Sequence, residues 1–265
     1  MPTADGLYYE EAGEGEPLLM VMGLGTDHFG WMLQVPELSK HHRVITFDNR
    51  DVGQSKQAEG PYEVADMARD ALALADHLEL DTFHLLGMSM GGAIAQEIAL
   101  AAPERVRTLT LAVTFPAGGA WARKLAEVWA ERVHKISREG HVDELMLLNF
   151  SEAFYENEQG VEWVRGMMLQ HPHPQPPEAF VRQLEACGRH DARERLGSLR
   201  VPTHVIGGEL DILVPVWKSR ELATLISDAQ LTVLPGSPHG ANVERAEEFN
   251  QAVLDFIAER APAPA

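Results

Sequence analysis

Leu85-Leu86-Gly87-Met88-Ser89-Met90-Gly91-Gly92 (LLGMSMGG) sets one serine among glycines and methionines, after an apolar run and ahead of an alanine-rich one. The run Phe83 to Leu86 has strand length and Ala93 to Ala102 reads as a helix, so the serine falls in a strand-to-helix turn. Gly87 and Gly91, two before and two after it, let strand and helix approach closely. Gly-x-Ser-x-Gly in that setting is the pattern of a nucleophile elbow, whose strained backbone exposes the serine oxygen.

Outward from the turn, the first half alternates short apolar runs with helix-length stretches. Strands are predicted at Leu7 to Glu11, Leu18 to Met22, Val44 to Phe47, Phe83 to Leu86 and Val106 to Val113, with helices near Trp31 to Ser39, Val64 to Leu78 and Ala93 to Ala102. Beyond Val201 the alternation returns: His204 to Gly207, a helix over Lys218 to Ile226, Leu231 to Leu234, and a helix over Val243 to Ala258. This pattern implies an α/β fold with a mostly parallel central sheet and helices on both faces.

The intervening block, 115–199, shows helical spacing only. Trp121, Leu125, Val128, Trp129, Val133 and Ile136 share one face, Val161 to Leu169 and Ala179 to Cys187 form two more helices, and HPHPQPP (His171 to Pro177) breaks the chain between them. The expected organisation is a core domain of residues 1–114 and 200–260, a helical cap of residues 115–199 inserted before the last two strands, and a disordered tail at 261–265.

Composition narrows the functions. The chain has 265 residues, 45% of them hydrophobic, enough to bury a sizeable core. A net charge of -18 disfavours nucleic acid and anionic membranes as partners. No apolar run has transmembrane length, the start lacks a secretory pattern, and the single cysteine, Cys187, fits a reducing compartment; a cytoplasmic location is expected.

A serine hydroxyl needs a base, and the base an orienting carboxylate. Asp211, in GGELDILVP, and His239, in SPHG, fall in loops after predicted strands, where sites assemble in parallel sheets. Glu209 competes for the acid role, whereas His239 is the only histidine after His204. His171 and His173 read as a solvated loop rather than a metal site. His84 and His204 read as satisfied strand residues, and Cys187 as an apolar filler.

With GMSMGG, GGELDILVP, SPHG and FDNRDVGQS (Phe47 to Ser55) together, the chain resembles the α/β-hydrolase family over nearly its whole length. It looks most like the serine hydrolase branch of 3-oxoadipate enol-lactonases, aclacinomycin-type methyl esterases and cofactor-free haloperoxidases and carboxylesterases. The resemblance implies Ser89 as nucleophile, His239 as general base then acid, and Asp211 as its orienting partner. It implies an oxyanion hole from the backbone N–H groups of Leu24 and Met90, with Gly23, Gly87 and Gly91 shaping loop and elbow. Two departures stand out: many relatives carry His-Gly where Met22-Gly23 stands, and a glycine where Asp51 follows Arg50. Asp48 and Arg50 are expected to be structural.

The expected activity is hydrolysis of a small or medium carboxylic ester or lactone through an acyl-serine, with no metal or organic cofactor, by a monomer or homodimer. Enol-lactone hydrolysis, perhydrolysis and carbon-carbon bond hydrolysis on the same triad are alternatives, as is a ligand receptor that has kept the fold. His28, Phe115, Trp121, Trp129, Met146, Trp163 and Met167 are candidates for the substrate pocket; His28 is also a candidate brace for the oxyanion loop.

Overall fold

The computed structural model describes residues 3–260; the expected tail, 261–265, lies outside the described residues. Eight strands make one sheet: β1 (Thr3–Ala4), β2 (Leu7–Ala12), β3 (Pro17–Val21), β4 (Arg43–Phe47), β5 (Phe83–Met88), β6 (Val106–Ala112), β7 (Thr203–Gly208) and β8 (Gln230–Leu234), in the order β1-β2-β4-β3-β5-β6-β7-β8. β1 and β2 are antiparallel at one edge, and the six strands from β4 to β8 run parallel.

Period-2 alternation sorts the side chains of each strand between two cores. Leu19 and Val21, Ile45 and Phe47, Leu85, Leu109 and Leu111 face one; Leu18, Met20, Val44, Leu86 and Ala112 face the other. Helices cover both. Behind the first lie α2 (Val64–His77), α3 (Met90–Ala101) and α10 (Val216–Leu225). Behind the second lie α1 (Val35–Leu38) and α12 (Ala246–Arg260), which inserts Phe249, Val253 and Ile257.

Between β6 and β7 the chain is helical: α4 (Gly119–Arg132), α5 (Arg138–Asn149), α6 (Glu152–Tyr155), α7 (Glu158–Gln170), α8 (Pro177–Arg189) and α9 (Arg193–Leu196). The cap thus precedes the last two strands, as expected. Ala126, Trp129, Phe180 and Leu184 form a small core of its own, while Leu196 and Leu199 pack into the core beside α3. Among the described residues no helix is long and apolar enough to cross a membrane.

Several elements differ from expectation. The helix expected over Trp31 to Ser39 is a 3-10 turn, His28–Trp31, followed by the single turn α1, with Pro36 in its first turn. The helix expected over Val243 to Ala258 is divided at Arg245 (φ -127°, ψ 44°), with α11 (Ala241–Glu244) ahead of α12. β6 stops one residue short because Val113 takes φ 42° and turns the chain away from the sheet. α5, α6, α9 and β1 have no counterpart among the expected elements.

The order β4-β3-β5 is a topological switch: the chain leaves β3 for one side and returns to pair on its other side. Such a switch opens a crevice at the strands' carboxyl ends. The loop after β3 and the turn after β5 meet in that crevice.

Candidate active site

Ser89 follows β5 and precedes α3 with φ 55° and ψ -120°, a conformation a side chain enters at a cost. Neighbours hold it there. Its N–H donates to Ala112 O at 2.9 Å, and its carbonyl accepts from Thr114 Oγ1 at 2.6 Å. The glycines are dictated by contact: a Cβ on Gly87 would lie 2.3 Å from Gly91 O, and one on Gly91 2.0 Å from Val21 O.

Ser89 Oγ lies 3.0 Å from His239 Nε2, and His239 Nδ1 lies 2.7 Å from Asp211 Oδ2. Asp211 and His239 are buried; Ser89 is half-buried. The loop itself aims the carboxylate, since Asp211 Oδ1 accepts from Leu213 N (2.9 Å) and Val214 N (2.7 Å). Glu209, the competing acid, turns instead to the Gly236 N–H, 2.8 Å away. Leu210 N donates to Ser237 O at 2.8 Å, which ties the acid's loop to the histidine's.

The loop after β3 passes beside the serine: a Cβ on Gly23 would lie 3.1 Å from Ser89 Cβ and 3.7 Å from its Oγ. Leu24 and Met90 both line the cavity above Ser89. Met90 opens α3, and the first N–H groups of a helix have no intrahelical partner. Asn49 Nδ2 donates to Met22 O (3.0 Å), and Gly25 N donates to Gln183 Oε1 (3.1 Å). His28 braces the same loop through Asp48, which accepts from its backbone N–H at 2.9 Å and meets its Nδ1 at 2.6 Å. His28 itself is buried and absent from the cavity wall, which corrects its place among the pocket candidates.

Asp48 and Arg50 take different partners. Asp48 serves His28 and the Gln54 N–H; Arg50 pairs with Asp70 at 2.5 Å and lies over the Tyr62 ring. Asp51 has φ 72°, in the left-handed region where a glycine would be at ease, and its carboxylate accepts from Arg182 Nε (2.8 Å) and Nη2 (2.7 Å).

Asp27, His28 and Asp48 bring ligand-type atoms within 4.8 Å of one another, a possible set for a cation. Asp48 is already committed to N–H donors at both oxygens. Burial first, then the Asp48 charge, holds the Asp27 carboxyl above its usual range. Burial works to lower the His28 imidazole, but the Asp48 hydrogen bond and charge outweigh it and keep it above its ordinary value. Within HPHPQPP, His173 is exposed, as expected of a solvated loop, whereas His171 departs from that reading, because its Nε2 lies 2.9 Å from Asp27 Oδ2 and its ring meets Phe29 edge-on. Burial pushes the Cys187 thiol up to about 12, which leaves it an unreactive filler.

Cap and core enclose a cavity of about 1360 Å³ that reaches Ser89 and His239. Phe115, Trp121, Trp129, Met146, Trp163 and Met167 all line it. Trp129 and Met146 are buried in its wall, while Trp121 and Trp163 are 61% and 50% exposed.

Sequence reasoning missed Asp27, Gln175, Arg182 and Gln183, which join the cap to the loops beside Ser89. A signal for one was present: Gln183 falls on the apolar face of α8 with Ala179, Phe180 and Leu184, where a polar residue calls for a partner.

Residues 16–246 match a family described as the alpha/beta hydrolase fold. A protein named "Putative carbamate hydrolase RutD" from Azorhizobium caulinodans is 32% identical over 98% of this chain and 99% of its own. Among solved structures, "Putative non-heme bromoperoxidase BpoC" of Mycobacterium tuberculosis H37Rv superposes with a TM-score of 0.90 at 27% identity, covering 98% of both chains. The enol-lactonase from Burkholderia xenovorans LB400 gives 0.87 at 28% identity, over 96% of this chain and 98% of that one.

Proposed function

The chain belongs to the α/β-hydrolase fold family, and from that membership we propose that it is a serine hydrolase cleaving a carboxylic ester or lactone through an acyl-serine. The observation that carries the reading is the line Ser89 Oγ, His239 and Asp211, with steps of 3.0 and 2.7 Å. Ser89 Oγ attacks the carbonyl carbon as His239 Nε2 takes its proton; Asp211 holds the Nδ1 hydrogen and steadies the cation. The oxyanion lies against the Leu24 and Met90 N–H groups. His239 returns the proton to the departing alcohol, and water, activated by the same imidazole, releases the acid and regenerates Ser89.

Intact mass after treatment with a fluorophosphonate tests the nucleophile: one adduct on Ser89 and none in Ser89→Ala is the expected result, and an adduct elsewhere overturns the reading. Ester turnover by Ser89→Ala is expected to fall by about 10⁴-fold or more. Turnover by His239→Ala should fall comparably, because the imidazole that takes the serine proton is gone; an unchanged rate removes His239 as base.

The RutD relative favours a second reading, in which the same serine takes a carbamoyl group. Parallel kcat/KM values for a p-nitrophenyl ester and the matching carbamate decide between the two.

A further inference from the structure

The wall of the cavity above Ser89 bears on which ester fits. Its volume of about 1360 Å³ exceeds the roughly 300–1,000 Å³ of clefts that enclose drug-sized ligands. Apolar side chains dominate the lining, among them Phe115, Trp129, Met146, Met168 and Phe180. The aspartate, arginine and lysine side chains in the wall are Asp27, Arg138 and Lys218. Asp27 faces His171 at 2.9 Å; Arg138 donates to the carbonyls of Met168 and His171; Lys218 donates to Ala117 O and lies 3.7 Å from Glu221. Burial keeps the His141 imidazole below its usual value, so it adds no cation at neutral pH. A carboxylate carried into this wall would lose hydration against a mostly apolar lining, the cations it could meet, Arg138 and Lys218, already donate to backbone carbonyls, and the chain's charge of -18 repels it on approach.

We propose that the substrate is a neutral, extended, largely apolar ester with a long alkyl or aromatic acyl group, and neither a short ester nor one bearing a second carboxylate. The assignment rests on the serine-hydrolase reading above. Its test is kcat/KM for p-nitrophenyl esters from acetate to dodecanoate, with the monoester of hexanedioic acid set against hexanoate and fluorophosphonate labelling of Ser89 in parallel. The rate constant should climb about fourfold per methylene over the shorter chains, and hexanoate should exceed the carboxylate-bearing ester by about a hundredfold. Leu125→Trp, which fills part of the cavity, should cut the dodecanoate-to-butanoate ratio by at least about tenfold. An optimum at acetate, equal rates for the two six-carbon esters, or an unchanged ratio in Leu125→Trp overturns the substrate class. If Ser89 is labelled while acetate is preferred, the substrate class alone fails; if Ser89 takes no label and no ester is cleaved, the serine-hydrolase reading fails and carries this assignment with it.

Independent contacts link the cap to the oxyanion loop. Gln183 of α8 is fully buried. Its Oε1 accepts from the Gly25 N–H (3.1 Å) and from Gln175 Nε2 (3.0 Å), and its Nε2 donates to Arg50 O (3.0 Å). Gly25, at φ +71°, directly follows Leu24. We infer that Gln183 is a positioning residue, through which the seated cap sets the Leu24 N–H for the oxyanion.

Gln183→Leu should lower kcat about 10- to 100-fold with KM within about twofold, and weaken a boronic acid transition-state analogue by the same factor. Gln183→Glu keeps the acceptor for Gly25 and should recover most of that loss, which also covers the case in which Gln183→Leu fails to fold. An unchanged kcat in folded Gln183→Leu, a change confined to KM, or a Gln183→Glu as slow as Gln183→Leu in the boronate and kcat measurements overturns the inference.

Discussion

At Ser89, backbone strain and close packing act together. Its φ of 55° is held by hydrogen bonds at both its N–H and its carbonyl, and the turn leaves no room beside it. Gly91→Ala would drive a Cβ to 2.0 Å from the Val21 carbonyl, a backbone atom that cannot swing aside. The expected cost is about 3 kcal/mol, read by chemical denaturation. Gly60→Ala is the control: nothing lies within 4 Å of its Cβ, and stability should stay within about 0.5 kcal/mol. The spacing of Gly87, Ser89 and Gly91 was legible in the sequence because it expresses one local turn. The partners of Asp51 and Gln183 were not, because Arg182 is 131 residues from Asp51, and the Arg50 carbonyl 133 from Gln183.

Among the elements, α2 follows its apolar period closely, with Met67, Ala71 and Leu74 buried. It ends in a Schellman motif: Leu80 N donates to Ala75 O (2.9 Å), Glu79 N to Asp76 O (3.1 Å), and Glu79 sits at φ 54°. An exposed glutamate gains nothing there to offset the left-handed backbone. Glu79→Gly should therefore stabilise the protein by about 0.5–1 kcal/mol, after allowing for the looser unfolded chain, and raise Tm by roughly 2–3 °C in a thermal scan. Three of the elements that sequence reading misjudged share a cause. α1, α11 and the short 3-10 turn are single turns held by tertiary contacts, such as Gln34 Nε2 to Asn242 O at 2.7 Å, and carry too few residues to show a period.

Over the whole molecule, buried histidines make stability depend on pH. Burial pushes the imidazoles of His190 and His204 down to about 4, from an ordinary value near 6.5. The unfolded chain then binds those protons more readily than the folded one. Their contribution is complete above about pH 6.5 and is lost as the pH falls towards 4. His204→Gln should reduce the loss of stability between pH 7 and 4.5 by about 2 kcal/mol, measured by denaturant titration at each pH. An equal loss in both proteins would assign the acid sensitivity elsewhere.

The sequence by itself determined the alternation of strands and helices, the serine's turn, the loops of Asp211 and His239, and the place of the helical insertion. Each is written in local period or in turn chemistry, which the chain expresses before it packs. Only the tertiary structure decided which acid faces His239, that His28 braces a loop instead of lining the cavity, that His171 meets Asp27, and that Gln183 ties the cap to the loop beside Ser89. Those contacts join residues from 20 to 158 positions apart, and only closure of the sheet and seating of the cap bring them within hydrogen-bonding reach.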